Sequence, residues 1–529
     1  MEITQSSANL DVISFTGENG MNWITKDCGK TLKVMRYKDY KIKDFKFHPE
    51  DPTYVMATAR HECDKVAQTN NCISNNMLLF SEDGGISFKL ADKFVYDYMW
   101  LKSIHYAFGY ETLAVLYTKL DGKQYENQPI IISKPREDIS VYQSLDLFKT
   151  PSKKLVTSGW QVWYSRCCLF VEQSIISGTK PSRTVSIEAY TKGSKFNEVK
   201  TYPENLYNTV GYLENIKTFY TYMYGTREIG HKMMVADLLK SDYSSSNFNV
   251  VLKNLVVKPE NDSADFTHIA SVEGIFLANV YEDTAVAYIE KSSSQQSGST
   301  AKTMKDVNAY VTTKISFNLG GSWKYLKAPA LDSVGKPVKC ASAKDCRLNL
   351  NLHTNSLTPP IYSSENAPGI IIATGCVGEF LSLNHIDYNT YMSHDGGVTW
   401  IEIAKGIHIY EIGDQGGLVV LSKYKAETKM VRFSYDLGKT WSFINFNETN
   451  VFVNNIVIEP TNNNHHFLIT GFEFDTSNNV KKGVVFHLDF SEYHIRECKG
   501  YENPDDPDSD YEKFIPHTYQ NQNCNHFSF

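Results

Sequence analysis

The sequence predicts an all-β fold built as a large β-propeller, and three observations predict it. Strand-length runs rich in Val, Ile, Tyr and Phe recur along the 529 residues between turn-forming residues. Amphipathic helical patterning is scarce by comparison. An eight-residue turn signal, Ser/Thr-x-Asp/Asn-x-Gly-x-Ser/Thr-aromatic, repeats through the chain, and self-similarity of this kind marks folds assembled from like units.

The strand-like runs include Tyr54-Val55-Met56-Ala57, Thr112-Leu113-Ala114-Val115-Leu116, Gly274-Ile275-Phe276-Leu277-Ala278-Asn279-Val280 and Gly483-Val484-Val485-Phe486-His487-Leu488. Each is short enough for one sheet strand. The low-complexity stretch Lys291-Ser-Ser-Ser-Gln-Gln-Ser-Gly-Ser299 has nothing to bury and is expected to be a mobile surface loop.

The turn signal is seen at Thr25 to Leu32, Ser81 to Phe88, Ser316 to Trp323, Ser393 to Trp400 and Ser434 to Trp441, with a degenerate copy ending at Gly193-Ser194-Lys195-Phe196. Asp395 and Asp436 lie 41 residues apart, and Asp27 and Asp83 lie 56 apart, lengths that suit one propeller blade each. In each copy the carboxylate and hydroxyls can bond backbone N–H groups of a tight turn, Gly supplies positive φ, and the final aromatic packs inward. Asp27, Asp83, Asn318, Asp395 and Asp436 are therefore read as structural corner residues, not catalytic ones.

Composition excludes several function classes. Lys+Arg 53 against Asp+Glu 60 gives a net charge of −7 with no long basic block, so nucleic acid is not an expected partner. Apolar residues make up 42% and charged residues 21%, too hydrophobic for a disordered chain. The longest apolar runs are strand-sized, short of the roughly 20 residues of a spanning helix. No secretory signal follows Met1.

Catalytic and metal motifs are not found. Gly29-Lys30-Thr31 and Gly438-Lys439-Thr440 mimic the end of a phosphate loop, but its first glycine would fall at Ile24 and Phe433. There is no His-Glu-x-x-His, no Gly-x-Ser-x-Gly and no Cys/His quartet. Asp506, Asp508 and Asp510 lack the following Gly and Glu of a calcium loop, because Tyr511 and His517 stand there. His465-His466 is expected to be a solvated pair in a polar loop. No catalytic residue, metal ligand or cofactor is assigned.

Ten cysteines include two close pairs, Cys63 with Cys72 and Cys340 with Cys346, whose spacings suit small disulfide loops and hint at an oxidising compartment. Asn261-Asp262-Ser263 and Asn447-Glu448-Thr449 fit the N-glycosylation pattern.

The turn signal is the Asp-box, which resembles what is seen in sialidases, some glycan-cleaving propellers and the sorting receptors of the sortilin family. Nine arginines are present, none in the Phe/Tyr-Arg-Ile-Pro context of sialidases. From Cys340 onward the resemblance to the sortilin family, the vacuolar-protein-sorting-ten type of luminal receptor, becomes specific. Cys340-Ala-Ser-Ala-Lys-Asp-Cys346-Arg-Leu-Asn-Leu resembles its small disulfide loop feeding a strand, and Gly369 to Gly378 resembles its Gly-apolar-Ala-x-Gly-x-Val-Gly strand. The box at Ser393, Asp414-Gln-Gly416-Gly417 and the box at Ser434 follow in the family's order. Cys498 and Asp510-Tyr511-Glu512 look like the entry to its cysteine-rich module, and weaker similarity runs back to about Trp23.

The resemblance implies a ten-bladed propeller, about nine blades of which are present over 1–490, with the start of a cysteine-rich module over 491–529. It implies a non-enzymatic, glycosylated membrane receptor on the luminal side of Golgi and endosomal membranes. That receptor carries soluble protein or peptide cargo to endosome, lysosome or vacuole. The signal peptide, membrane span and cytosolic tail that binds sorting adaptors are expected outside this sequence, which reads as a fragment. The animal receptor binds a peptide carboxylate with a sixth-blade arginine, whereas the matching 237–255 contains none. Ser244, Lys253 and Phe276 occupy positions resembling ligand-contacting neighbours, with Lys240 a second nearby cation. The alternative function is an Asp-box glycoside hydrolase of sialidase type. Cargo release in acidic organelles is a further expectation, motivated by 15 histidines.

Overall fold

Period-two alternation decides how the strands stack. In a computed structural model, the strand Asn76–Ser81 sends Met77 and Leu79 into a cluster with Ile24, Phe45 and Ala57, and Leu78 and Phe80 into another with Trp100, Val115 and Tyr117. Its sheet is thus buried on both faces, and interdigitating side chains of facing sheets make the core. Such strands read as continuous apolar runs, which is why they stand out in the sequence.

The structure describes residues 2–493 apart from 18–20, 36, 38–40, 61–75, 102–112, 122–137, 165–168, 177–182, 191–196, 203–208, 213–219, 230–232, 259–262, 295–307, 341, 343–345, 353–357, 459–461, 463 and 476–479. The degenerate corner at Gly193 to Phe196 and the acidic turn at Asp506 to Asp510 lie outside the described residues. The chain divides into two compact units, Met1–Glu365 with Gly369–Gly406, and Asn366–Pro368 with Ile407–Phe529.

The first unit is a succession of four-stranded antiparallel meanders. Four are separate sheets, spanning 2–35, 41–93, 95–156 and 159–198. A 14-stranded sheet then joins three more, spanning 209–258, 266–327 and 347–404, through thin links. In strand pairing the fifth meander meets the sixth at Leu255↔Val280, and the sixth meets the seventh at two residue pairs. The second unit holds two further meanders, 408–445 and 427–489. They overlap in sequence because the short strand Glu427–Thr428 pairs with Val451–Val457 of the later one. This is the architecture of propeller blades. The last strand ends at Asp489, and 494–529, where the cysteine-rich module is expected, lie outside the described residues.

One element differs from expectation. The stretch from Lys291 was read as loop, but Asp283–Ser294 is a helix, so Lys291 to Ser294 form its last turn; 295–299 are not among the described residues. Val286 and Ile289, three apart, share one helix face and pack on Ile229, Met233, Tyr281 and Val311. Asp283 in the first turn complements the helix dipole. His466, expected in a loop, opens the strand His466–Asp475, and Leu468 in that strand pairs with His487 opposite. The imidazoles of His466 and His487 stack with centroids 5.1 Å apart.

The Gly-x-Val-Gly strand has a steric reason. A Cβ on Gly375 would sit 2.1 Å from the Asn349 carbonyl oxygen, so only glycine lets the two backbones approach. Beside it, a buried polar ladder ties the sixth meander to the seventh. The Thr313 hydroxyl donates to Asn279 Oδ1 at 2.6 Å, the Leu350 N–H donates to that hydroxyl at 2.8 Å, and Asn349 Oδ1 accepts the Thr313 N–H at 3.1 Å.

Gly375→Ala is expected to lower stability by about 1–3 kcal/mol, through overpacking against backbone that cannot swing away. Gly483→Ala, whose Cβ meets nothing within 4 Å, should be neutral or mildly stabilising. Thermal unfolding of the two variants beside the parent checks this; equal melting temperatures would contradict the steric account.

Candidate functional site

The corners come first, because they dominate the polar chemistry of the chain. At Ser393 to Trp400 the Ser393 hydroxyl donates to Asp395 Oδ1 at 2.8 Å and accepts the Gly397 N–H at 2.8 Å. The Asp395 carboxylate then accepts the Thr399 N–H at 2.9 Å and the Thr399 hydroxyl at 2.5 Å. The Trp400 indole N–H closes the corner on the Gly397 carbonyl at 3.1 Å. Asp27, Asp83 and Asp436 repeat the cycle of serine or threonine, carboxylate and backbone. Asn318 repeats it with an amide, its Oδ1 accepting the Ser322 N–H at 2.8 Å while its Nδ2 donates to the Ser322 hydroxyl at 3.1 Å.

These carboxylates spend most of their acceptor sites on their own turns, Asp395 by accepting from Ser393 and Thr399. Burial pushes the Asp395 and Asp436 carboxyls up, but bonds from the Thr399 and Thr440 hydroxyls and N–H groups, then from the corner serines, outweigh it. Both are held below their ordinary value. At Asp27 the Thr31 hydroxyl and N–H do the same.

Sequence reasoning missed a corner. Ser144, Asp146 and Thr150 make the same cycle, with the Phe148 N–H donating to the Ser144 hydroxyl at 2.8 Å and the Thr150 N–H to Asp146 Oδ1 at 3.2 Å. Phe148 replaces the usual glycine and Pro151 the usual aromatic, so the pattern search passed over it. A looser relative lies at Asp242, whose Oδ1 accepts the Ser244 hydroxyl at 2.8 Å and the Ser246 N–H at 3.1 Å.

Of the three residues resembling ligand contacts, the structure leaves two at the surface. Ser244 is exposed in that Asp242 turn and Lys253 is exposed on the strand Asn247–Lys258. Phe276 does not join them. It is 1% exposed, with its ring 5.0 Å from Tyr222 and 5.2 Å from Phe266. The reason is the alternation along 275–280, where Phe276, Ala278 and Val280 enter the cluster shared with the fifth meander, and Ile275 and Leu277 enter the one shared with the seventh. A strand covered on both faces has no side chain left for a ligand. Lys240 lies over the Tyr220 ring at 4.0 Å, and burial pushes its ammonium down.

The region 237–255 contains no arginine, yet strand pairing brings one to it. Arg227 sits opposite Val235, diagonal to Asp237. Its Nε donates to Asp237 Oδ2 at 3.2 Å, its Nη2 to Asn254 Oδ1 at 2.6 Å and its Nη1 to Glu290 Oε1 at 3.4 Å. Asn254, at φ +63°, returns its N–H to Asp237 Oδ1 at 3.0 Å and its amide to Asp283 at 2.8 Å. Two carboxylates on the guanidinium and a third on Asn254 make this a structural knot with excess negative charge, unsuited to an anionic ligand. No local signal marks Arg227, because its partners come from three other elements.

Cys340 and Cys346 are disulfide-bonded, with Cα atoms 5.4 Å apart. Cys63, Cys72 and Asn261 lie outside the described residues. Asn447 is half-buried, and its Nδ2 donates to Thr449 Oγ1 of its own sequon at 3.1 Å and to Glu473 at 3.0 Å. Among the described residues no cluster of three or more His, Cys, Asp or Glu is placed to hold a metal, and no helix is long and apolar enough to cross a membrane.

Comparison with known proteins decides the family. The family model described as Sortilin-Vps10, "Sortilin, neurotensin receptor 3", matches residues 1–456. The chain belongs to the Sortilin-Vps10 family. That is a family of sorting receptors, not of hydrolases. Vacuolar protein sorting/targeting protein 10 of Paracoccidioides brasiliensis is 25% identical over 97% of this chain and 33% of its own length. The protein of that name from Kluyveromyces lactis is 26% identical over 94% of this chain and 30% of its own. An uncharacterised membrane glycoprotein of Saccharomyces cerevisiae is 32% identical over 51% of this chain and 23% of its own. The chain thus spans about a third of the full-coverage relatives. Among solved structures, the GH74 xyloglucanase of Xanthomonas campestris matches 91% of this chain and 79% of its own with a TM-score of 0.30 and 11% identity. The β-propeller domain of the Trilobed protease of Pyrococcus furiosus matches 86% and 97% with a TM-score of 0.30 and 8% identity.

The depressed carboxyls set an acid limb. Their contribution is complete above the unfolded value of about 3.9 and is lost as pH falls through that value toward the lower folded one. For these groups the melting temperature should be level from pH 7 to 5 and fall below about pH 4. Asp395→Asn with Asp436→Asn should cost about 1–2 kcal/mol at neutral pH and flatten the acid limb, as the amide of Asn318 already does in its corner. An unchanged acid limb in that variant would refute the assignment.

Proposed function

We propose that this chain is the luminal cargo-binding part of a Vps10-type receptor that moves soluble proteins from the Golgi to the endosome, lysosome or vacuole. The family match over residues 1–456 carries the reading. The printed names of relatives, vacuolar protein sorting/targeting proteins and a membrane glycoprotein, support a Golgi or endosomal membrane setting. Sheet edges and corner loops would receive extended segments of cargo by strand addition, with side-chain pockets supplying specificity. Ser244 and Lys253 are the surface residues of the fifth meander proposed to contact cargo. Adaptors would be engaged through other parts of the whole receptor.

Histidines with acidic neighbours motivate release at low pH. In the second unit His465 Nε2 lies 3.6 Å from Asp414, and His466 Nδ1 lies 3.5 Å from Asp489 and 3.2 Å from His487 Nε2.

Capture of soluble vacuolar hydrolases from a secretory extract by the immobilised chain tests the reading. Saturable capture at neutral pH, weakened several-fold at pH 5 and by Lys253→Glu, is expected. Hydrolysis of a fluorogenic sialoside, with no capture, would replace it by the glycosidase reading.

A further inference from the structure

Two corners lack an aromatic anchor: the first, where Leu32 stands 55% exposed, and the corner of the third meander. Trp323, Trp400 and Trp441 each lay their indole over their corner and donate N–H to the glycine carbonyl four residues into it, at 3.1, 3.1 and 3.0 Å. In the third meander that anchor position is Pro151, which is exposed, whereas Trp400 is 4% exposed. The glycine position is Phe148 at φ +63°, whereas Leu147 before it, at φ +55°, matches Leu319 and Leu437 in two other corners. Bulky residues in the left-handed region are strained, and strain of this kind gathers at functional sites.

Strand register identifies what surrounds the vacated place. Tyr142 stands two residues before its corner serine and pairs with Tyr117, as Tyr391 stands two before Ser393 and pairs with Ala373. Ala91 follows its corner serine Ser81 at the same distance as Leu326 follows Ser316. Leu326, Ala373 and Tyr391 belong to the core cluster that closes around Trp400. Their counterparts Ala91, Tyr117 and Tyr142 instead line an open cleft of about 440 Å³, together with Asp92, Phe148 and Pro151. Phe148 takes over part of the missing anchor, its ring 5.7 Å from both Phe80 and Tyr117, and the cleft is what remains. That volume lies within the range of ligand pockets, about 300–1,000 Å³.

The walls set the rings of Tyr117, Tyr142 and Phe148 beside Asp92, Lys119 and Lys149, and more of the exposed lining is polar than apolar. Tyr117 and Tyr142 stack at 5.6 Å, and the Lys119 ammonium lies 4.7 Å from the Tyr142 centroid. Asp92 Oδ2 accepts the Tyr117 hydroxyl and the Lys119 ammonium, both at 2.8 Å. Asp92 Oδ1 accepts the Lys93 N–H at 2.8 Å, so of the roughly four acceptor sites of a carboxylate one is left for another donor.

We propose that this cleft between the second and third meanders is a recognition pocket for a tryptophan or tyrosine side chain carried on an extended segment of a partner protein. The partner's ring supplies what Pro151 withholds. It lies among Phe148, Tyr142 and Pro151, with its N–H or O–H turned toward Asp92. An indole is favoured over a sugar because three other corners of this chain hold an indole in the equivalent place. Aromatic anchors of this type carry much of the binding energy at protein interfaces. The inference deepens the receptor reading and rests on it for the biological occupant.

Fluorine NMR titration with N-acetyl-5-fluorotryptophanamide tests the cleft itself. Saturable line broadening is expected with the parent chain. Pro151→Trp should fill the cleft from within, weakening the probe at least tenfold while raising the melting temperature; Ala91→Trp fills it from the facing strand and decides the matter where Pro151→Trp does not fold. Asp92→Asn should weaken the tryptophan and tyrosine amides more than N-acetylphenylalaninamide. No saturable binding, binding unchanged in a folded plugged variant, or displacement of the probe by methyl α-mannoside would overturn the proposal. Loss of cargo capture with probe binding intact would strike only the receptor reading, and the reverse result only the cleft.

Discussion

A left-handed corner leaves backbone N–H groups with no strand partner, and one hydroxyl and one carboxylate answer them. The cycle joining Ser393, Asp395, Gly397 and Thr399 satisfies those donors without help from the rest of the chain. The return strand therefore leaves each corner in a set direction, and at Trp323, Trp400 and Trp441 the aromatic that begins it bonds back to the corner in the same way. Sheets whose strands pair with the next at as little as Leu255↔Val280 can then stack in order through their side chains, because each enters the stack already turned.

Stacking in this manner leaves little of a sheet available for chemistry. Strands such as Phe276–Tyr281 are buried along their whole length. Polar residues inside the stack, Asn279, Thr313 and Asn349 among them, are occupied in tying one sheet to the next. Function is left to the rims: the corners, the loops, and places where a blade departs from its siblings. That distribution suits a receptor, whose scaffold can remain constant while its edges vary. It keeps the corner carboxylates bonded within their own separate turns, apart from one another, and not paired as an acid and a base.

The corners at Asp27, Asp83, Asn318, Asp395 and Asp436 were legible because their chemistry is local, eight residues reading one another in a row. The corner at Asp146 was not, although its hydrogen bonds are the same, because Phe148 and Pro151 break the pattern at the two positions a search relies on. The helix Asp283–Ser294 was missed where a serine-rich stretch follows a short apolar stripe, and only contact with Ile229 and Met233 makes that stripe worth burying. Phe276 was misjudged for a related reason. A residue's strand can be read from the sequence, but whether the second face of that strand is covered depends on the next sheet.

By itself the sequence determined the β class, the corner chemistry and the family, since all three rest on residues within a few positions of one another or on their order along the chain. Tertiary structure alone decided which side chains meet across sheets. Arg227 among Asp237, Asn254 and Glu290, and the cleft where Ala91 faces Pro151, each join residues brought together by strand register and sheet stacking. The side chains that meet there are separated by tens of residues of chain, and no local pattern encodes such a meeting.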